Sequence, residues 1–402
     1  MSRCYGTKLG CWRRCQVDWV VGLPSRLGCW DFSRRLSTTV VFVEQQILYR
    51  SEDPDAHLHM TERPEIAQSG GCSFSYTKPL IQTELPSGRG GCSVCCADGK
   101  LIVFGGHYFE GGDEFTYLGE TWVLDVEKLA WHKIKCAGQI PSPRYGHSAQ
   151  IVGSRLFIFG GKGENGIMYR DVFFLDLAEW VWVPVQPVVQ GPQPRFFHAS
   201  CLVGRKIVVH GGWDGETETY NDLWIFDTDK FAWLEPRSSG FGPGARYGHS
   251  MTLTDDGRII ILGGCELNAK TGVPRYLNDV RSLQTQSMVW IRPAVHGPVI
   301  SGRFGHTSVQ LGSKIAIFGG WGKGGCQSST MINNPSAHSV QLFDVKTMTF
   351  LVPRRLGKKV PKHMYSHGCC RAEGSSALLC FGGFDGRQAS NDFSILNFDL
   401  GE

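Results

Sequence analysis

Leu101-Ile102-Val103-Phe104-Gly105-Gly106 is the first of six runs of one kind, an apolar stretch closed by a glycine pair. The others are LFIFGG (156–161), IVVHGG (207–212), IIILGG (259–264), IAIFGG (315–320) and LLCFGG (378–383). Their last glycines lie 55, 51, 52, 56 and 63 residues apart. A short apolar run bounded by glycine reads as a buried strand, because it is too short for a helix. The glycines permit a sharp turn where a Cβ would clash.

Each run has the same companions. Upstream stands Arg-aromatic-x-His, at Arg144–His147, Arg195–His198, Arg246–His249 and Arg303–His306. The first copy is reduced to Arg89 and Cys92, and the sixth keeps His367 behind Met364. Downstream comes a second apolar strand, as in ETWVLD (120–125), DVFFLD (171–176) and NDLWIFD (221–227). An aromatic follows in five copies: Trp131, Trp182, Trp233, Trp290 and Phe350. Four short strands in roughly 50 residues make one blade of a propeller.

The glycine pairs, the downstream tryptophans and their spacing resemble the kelch repeat, from residue 73 to the C-terminus. The resemblance implies an all-β fold, a six-bladed kelch-type β-propeller with four-stranded blades over residues 73–402. The sixth copy runs out of sequence after its third strand, near Phe398, and an open blade edge invites aggregation. The missing strand is read upstream. Tyr76-Thr77-Lys78 and Leu85–Arg89 match Trp131-His132-Lys133 and Ile140–Arg144 at a constant offset of 55. Residues near 74–82 are therefore expected to close the last blade as an N-terminal strand.

Composition agrees. Glycine is abundant at 51 of 402 residues, hydrophobic residues make up 42%, and charged residues only 19%. A net charge of +4 is too mild to announce nucleic-acid binding. No apolar run is long enough for a membrane span. Fifteen cysteines without tight spacing read as reduced thiols, so a cytoplasmic or nuclear location is expected. Residues 1–60 fall outside the repeat and read as a poorly ordered leader. Their first fifty carry eight basic and three acidic side chains, as some mitochondrial leaders do, but Gly22, Pro24 and Gly28 interrupt any amphipathic helix. Cys4, Cys11, Cys15 and Cys29 lack the CxxC spacing of a zinc site.

Function is sought in loops on a rigid scaffold. The connections between second and third strands, and those between blades, share one face and are the longer ones. Directly after the glycine pairs stand His107, Lys162, Trp213, Cys265, Trp321 and Phe384, expected to ring the mouth of the axial channel. Trp213, Trp321 and Phe384 are read as exposed aromatic anchors. Arg89, Arg144, Arg195, Arg246 and Arg303 stand nearby. Arginine forks grip carboxylates, which suggests an acidic peptide or the free C-terminus of a polypeptide as ligand. The favoured reading is that they pair within the repeat, with Glu120, Asp171, Asp222 and Asp279, because a residue recurring in every blade is first a structural device, and the aromatics are the better site candidates. The repeat histidines and the cysteines read as core residues, and no metal or cofactor is expected. Glu218-x3-Asp222 resembles the iron motif of nitrile-specifier propellers, but Phe226 stands where the third ligand belongs.

No catalytic motif is present, so the leading expectation is a non-catalytic scaffold binding a partner protein or peptide through the long-loop face. The second is the substrate-recognition subunit of a ubiquitin ligase, although such kelch receptors carry an extra BTB, F-box or cullin-binding segment. The third is a small-molecule, sugar-binding or enzymatic propeller, favoured only by the three aromatics.

Overall fold

Each glycine-terminated run is a strand paired on both edges, and both of its faces are covered. Leu101 and Val103 point toward blade 6, while Ile102 and Phe104 point toward blade 2. That alternation explains why the runs before the glycines are apolar except at His210: a strand buried on two faces has no solvent side for polar residues. The computed structural model describes residues 71–109, 115–268, 271–298, 300–322, 340–359, 361 and 364–401. The leader at 1–60 lies outside the described residues, as do parts of the long loops, including 323–339.

Six antiparallel sheets follow one another in sequence order, with inner strands Ser93–Ala97, Ser148–Val152, Ala199–Val203, Ser250–Leu253, Thr307–Leu311 and Gly368–Arg371. The strand Ser73–Thr77 pairs antiparallel with Phe393–Asp399, from Ser73 opposite Asp399 to Thr77 opposite Ile395. This is the closing strand read from the sequence. It stops at Thr77 rather than near residue 82, since Pro79 has no N–H to continue the ladder.

Three blades have five strands rather than four. The linker entering blades 2, 4 and 6 first lays a short parallel strand along the outer edge: Ala137–Gly138, Ser239–Gly240 and Arg354–Leu356. The added strand covers an outer edge whose polar groups would otherwise be open to pairing.

Six wedge-shaped cores lie between neighbouring blades. Each receives the outer-strand aromatic of one blade against the strands of the one before: Trp131, Trp182, Trp233, Trp290 and Phe350. In the sixth wedge the half-buried Tyr76 of the closing strand takes that place. Burying an aromatic of this size is worth on the order of 3–5 kcal/mol by truncation.

Around the axis the blades are joined by two closed rings of backbone hydrogen bonds. In the first, the second glycine of each pair donates to the carbonyl at the arginine position of the next blade. Gly106 donates to Arg144, Gly161 to Arg195, Gly212 to Arg246, Gly264 to Arg303, Gly320 to Met364, and Gly383 back to Arg89, at 2.7–2.9 Å. These glycines have φ between +94° and +103°, and a Cβ on Gly106 would meet the Cβ of Cys92 at 3.0 Å. The second ring runs Gly146 to Gly91, Phe197 to Gly146, Gly248 to Phe197, Gly305 to Gly248, Ser366 to Gly305 and Gly91 to Ser366, at 2.7–2.8 Å. All six residues have φ between +52° and +65°, which suits glycine and strains Phe197 and Ser366.

Candidate functional site at the propeller axis

The eleven residues singled out in the sequence converge on the axis, and all but Lys162 are buried there. In every blade the residue after the glycine pair forms a β-bridge with the residue after the arginine position. The bridges are Gly90–His107, Tyr145–Lys162, Phe196–Trp213, Tyr247–Cys265, Phe304–Trp321 and Tyr365–Phe384. Six such pairs crowd a small circumference, so their rings pack on one another. Contacts run His107–Tyr145 at 4.0 Å, Tyr145–Phe196 at 5.6 Å, Phe196–Trp213 at 5.3 Å and Trp213–Tyr247 at 5.3 Å. They continue Tyr247–Phe304 at 6.0 Å, Phe304–Tyr365 at 5.9 Å and Tyr365–Phe384 at 5.6 Å, and Phe384–His107 at 5.1 Å closes the circuit. At Gly90 the missing side chain leaves room for the Phe384 ring.

Burial overturns one expectation. Trp213 is 2% exposed, Trp321 and Phe384 7%, and His107 2%, so they form a collar rather than free-standing anchors. Lys162 is half-buried, with its Nζ 5.4 Å from the centre of the Phe196 ring. Phe197, which the sequence reading passed over, reaches from the second hydrogen-bond ring toward Phe304 two blades away. The signal was legible. The position before the histidine reads Gly91, Gly146, Phe197, Gly248, Gly305 and Ser366, a recurring glycine with one bulky exception.

Four of the five arginines pair within their own blades. Arg144 and Arg195 are fully buried and hold Asp171 and Asp222 through both terminal nitrogens, at 2.5–2.9 Å. Arg246 does the same with Asp279, and Arg89 Nη2 meets Glu120 at 2.6 Å. Burial alone would raise the carboxyl of Glu120, yet hydrogen bonds from Lys133, Arg89 and Trp122 outweigh it and bring it down to about 2. For Asp222 and Asp279, burial likewise opposes ionisation, and the arginine at each prevails. For these four, pairing inside the repeat is the arrangement found, and it leaves their forks engaged.

Arg303 differs. Its Nε donates to Ser301 O at 3.3 Å and its Nη1 to Gly319 O at 3.0 Å, as the equivalent atoms do elsewhere. No carboxylate among the described residues meets it, and burial pushes its guanidinium down to about 10. In blade 6 the exchange is reversed. Met364 takes the arginine position, and Asp392 pairs instead with Lys78 beside the closing strand, at 2.6 Å.

The repeat histidines are bound in the manner of core residues. His147, His198, His306 and His367 place Nε2 within 2.8–3.0 Å of Ser93, Ser148, Ser250 and Thr307 of the preceding blade. Blade 3 has Ala199 at the hydroxyl position, and there His249 turns to His210 at 3.1 Å, where most other copies carry Phe. At the seam Cys92 replaces the histidine and Gly368 replaces its hydroxyl partner. Cys95 faces Ala149 of blade 2, whereas Cys96 faces Cys370 of blade 6, so the adjacent thiols do point to opposite faces. Among the described residues no cluster of His, Cys, Asp and Glu could hold a metal.

Comparison with known proteins agrees with this architecture. The KLHDC2/KLHL20/DRC7 Kelch-repeats domain family matches residues 108–320 and 217–354. The chain is 30% identical over 274 residues to Kelch domain-containing protein 3 of Rattus norvegicus, covering 64% of this chain and 68% of that protein. It is 25% identical over 336 residues to Acyl-CoA-binding domain-containing protein 4 of Arabidopsis thaliana, and 27% over 323 residues to Host cell factor of Drosophila melanogaster. These matches cover 80% and 73% of this chain but only 47% and 20% of those two relatives, so the chain spans half their length or less. The six registered glycine pairs, the two closed axial rings and these matches together make the chain a member of the kelch-repeat β-propeller family.

Proposed function

We propose that this propeller is a non-catalytic interaction module that holds a partner protein or peptide through its loops and inter-blade linkers. One observation supports the reading most directly. Of twelve exposed large apolar side chains among the described residues, nine lie in these segments outside any outer strand, while Leu234, Ile291 and Leu356 lie in outer strands. Leu80 at 81% exposure, Val188 at 80% and Phe241 at 78% are the most open in the linkers between blades. Exposed apolar residues are unremarkable singly, and their concentration is what points to contact. With the collar buried, these side chains replace Trp213, Trp321 and Phe384 as candidate anchors.

The test compares wild type with a Val188→Ser, Phe241→Ser double variant by affinity purification with mass spectrometry, beside thermal melting. A partner bound at these loops is lost from the variant while melting stays within about 0.5 kcal/mol of wild type. Retention of every partner by a folded variant removes this reading. A cytoplasmic or nuclear location is part of the same proposal, checked by fluorescence of the tagged protein.

A further inference from the structure

We infer that Cys369 and Cys380 of blade 6 form a dithiol site for hydrogen peroxide, with Cys369 the attacking thiol and Cys380 the thiol that closes the disulfide. The inference goes beyond the interaction reading above and does not rest on it.

The argument is one of repeat against repeat. In every blade the second residue past the histidine position lies directly across the ladder from a residue of the glycine-terminated run. Five blades fill that pair with Val94 and Val103, Ala149 and Ile158, Ser200 and Val209, Met251 and Ile261, and Ser308 and Ile317. Blade 6 alone of the six sets a thiol on both sides, Cys369 opposite Cys380. Directly opposed residues of an antiparallel pair share one face, with Cα atoms ~4.5–5.5 Å apart. A disulfide spans Cα separations of roughly 4.4–6.8 Å, so the two can be joined with the sheet as it stands. Both side chains face the wedge between blades 5 and 6, where Cys380 is 3% exposed and Cys369 is half-buried.

The surroundings divide the work between the two thiols. His367 reaches Cys369 while its Nε2 meets the Thr307 hydroxyl at 3.0 Å. Burial opposes ionisation of Cys369, yet the hydrogen bond with Cys380, together with His367 and Thr307, outweighs it and lowers the thiol. Burial and the neighbouring Cys369 push Cys380 the other way, so it stays protonated. A cavity of about 20 Å³ reaches the pair, lined among others by His367, Cys380, Ser390 and Asp392. A space of that size admits a small polar molecule, which selects a peroxide over a bulky disulfide as oxidant. The Cys369 thiolate attacks one peroxide oxygen and the O–O bond breaks. A sulfenic acid is left on Cys369, and the departing hydroxide takes a proton to become water. The Cys380 sulfur then displaces the sulfenic oxygen: the S–S bond forms, the S–O bond breaks, and the Cys380 proton leaves with that oxygen as a second water. Two thiols are oxidised and one peroxide is reduced.

The test treats the full chain with a small excess of hydrogen peroxide, blocks the remaining thiols by alkylation and maps disulfides by tryptic mass spectrometry. Arg371 lies between the two cysteines, so trypsin turns the disulfide into a linked peptide pair. That pair should form in the wild type, vanish on treatment with dithiothreitol and persist in Cys370→Ser. Cys369 should oxidise about 10-fold faster or more than Cys136, a half-buried thiol that burial raises. Two variants copy residues that other blades carry at these positions, and circular dichroism confirms that they fold. Cys380→Val should stop at the sulfenic acid, trapped on Cys369 by dimedone, and Cys369→Ser should give neither link nor adduct. A link that survives Cys369→Ser, or oxidation of Cys369 no faster than of Cys136, overturns the inference. So does a wild type that forms the sulfenic acid without the link to Cys380, or that forms neither.

Discussion

Blades 2, 3 and 4 carry the arginine, its acidic partner and the histidine of the repeat, whereas blades 5, 6 and 1, around the closing seam, each lack at least one device. The complete blades have the arginine, its bidentate aspartate and a histidine bonded to the blade before. Blade 5 lacks the acid, blade 6 the arginine, and blade 1 both the histidine and the aromatic before it. The backbone does not follow this decay. Gly320 still donates to the carbonyl of Met364, and Gly383 to that of Arg89, at the distances found in the intact blades. The two axial rings hold the blades together through backbone groups, and the side-chain devices are exchangeable provided that both partners change. Ala199 with His210, and Cys92 with Gly368, are two such joint changes.

The largest expected effect comes from acid, and it falls mainly on the complete blades. Burial holds His147, His210 and His306 down to about 3, and His198 and His249 well below their usual value. Neighbouring guanidinium groups add to this at His147, His198, His210 and His306, and at His249 the adjacent His210 does. In the unfolded state each histidine titrates near ~6.5. Between those values the unfolded state takes up protons that the folded state refuses, so stability is full above ~6.5 and falls as the pH drops. At pH 5 each such histidine costs about 2 kcal/mol, and five together rival the stability of a typical domain. Circular dichroism melts from pH 8 to 4 should show a steep fall below pH 6.5. A melting temperature unchanged between pH 7 and 5 would mean that these rings are not held neutral in the core.

How much of this was legible follows from what a repeat can reveal. The glycine pairs gave blade number and strand order, and the constant offset from Tyr76 to Trp131 placed the closing strand. Both are properties of one sequence position compared with another. Exposure is different, since it depends on what six blades do when they meet. Nothing in the context of Trp213 distinguishes a ring at an open mouth from one wedged between Phe196 and Tyr247. The pairings inside the repeat were in view as the favoured reading for the arginines. The Ser339 position, read against Glu120, Asp171, Asp222, Asp279 and Asp392, would have separated Arg303 from the rest.

A middle-sized effect sharpens the comparison at one position. Asp222→Ala in blade 3 leaves the buried guanidinium of Arg195 uncompensated and should cost about 3 kcal/mol. Asp392→Ala in blade 6 breaks its pair with Lys78, whose side chain is 49% exposed, and should cost less than about 1 kcal/mol for that pair. Urea unfolding of both variants reads the difference. Equal losses would show that the acidic position matters for something other than the arginine it faces, and the division between complete and worn blades would lose its meaning.

The smallest effect concerns the one place where a complete blade is the strained one. Phe197 holds a left-handed conformation, φ +52°, in a ring where blades 1, 2, 4 and 5 use glycine. Its N–H and C=O both serve that ring, donating to Gly146 and accepting from Gly248, so the conformation is imposed from two sides. Phe197→Gly relieves about 1 kcal/mol of backbone strain. It also removes a half-buried ring packed on Tyr145 and Phe196, worth about 1–2 kcal/mol, and adds glycine's entropy cost of about 0.5–1 kcal/mol. The balance is a net loss of about 1 kcal/mol, within reach of urea unfolding in triplicate. A loss above about 3 kcal/mol would make Phe197 a core anchor of the collar on a par with the wedge tryptophans. A gain in stability would show instead that the ring contributes less than its strained backbone costs, and that blade 3 keeps a phenylalanine on the axis for a reason other than folding.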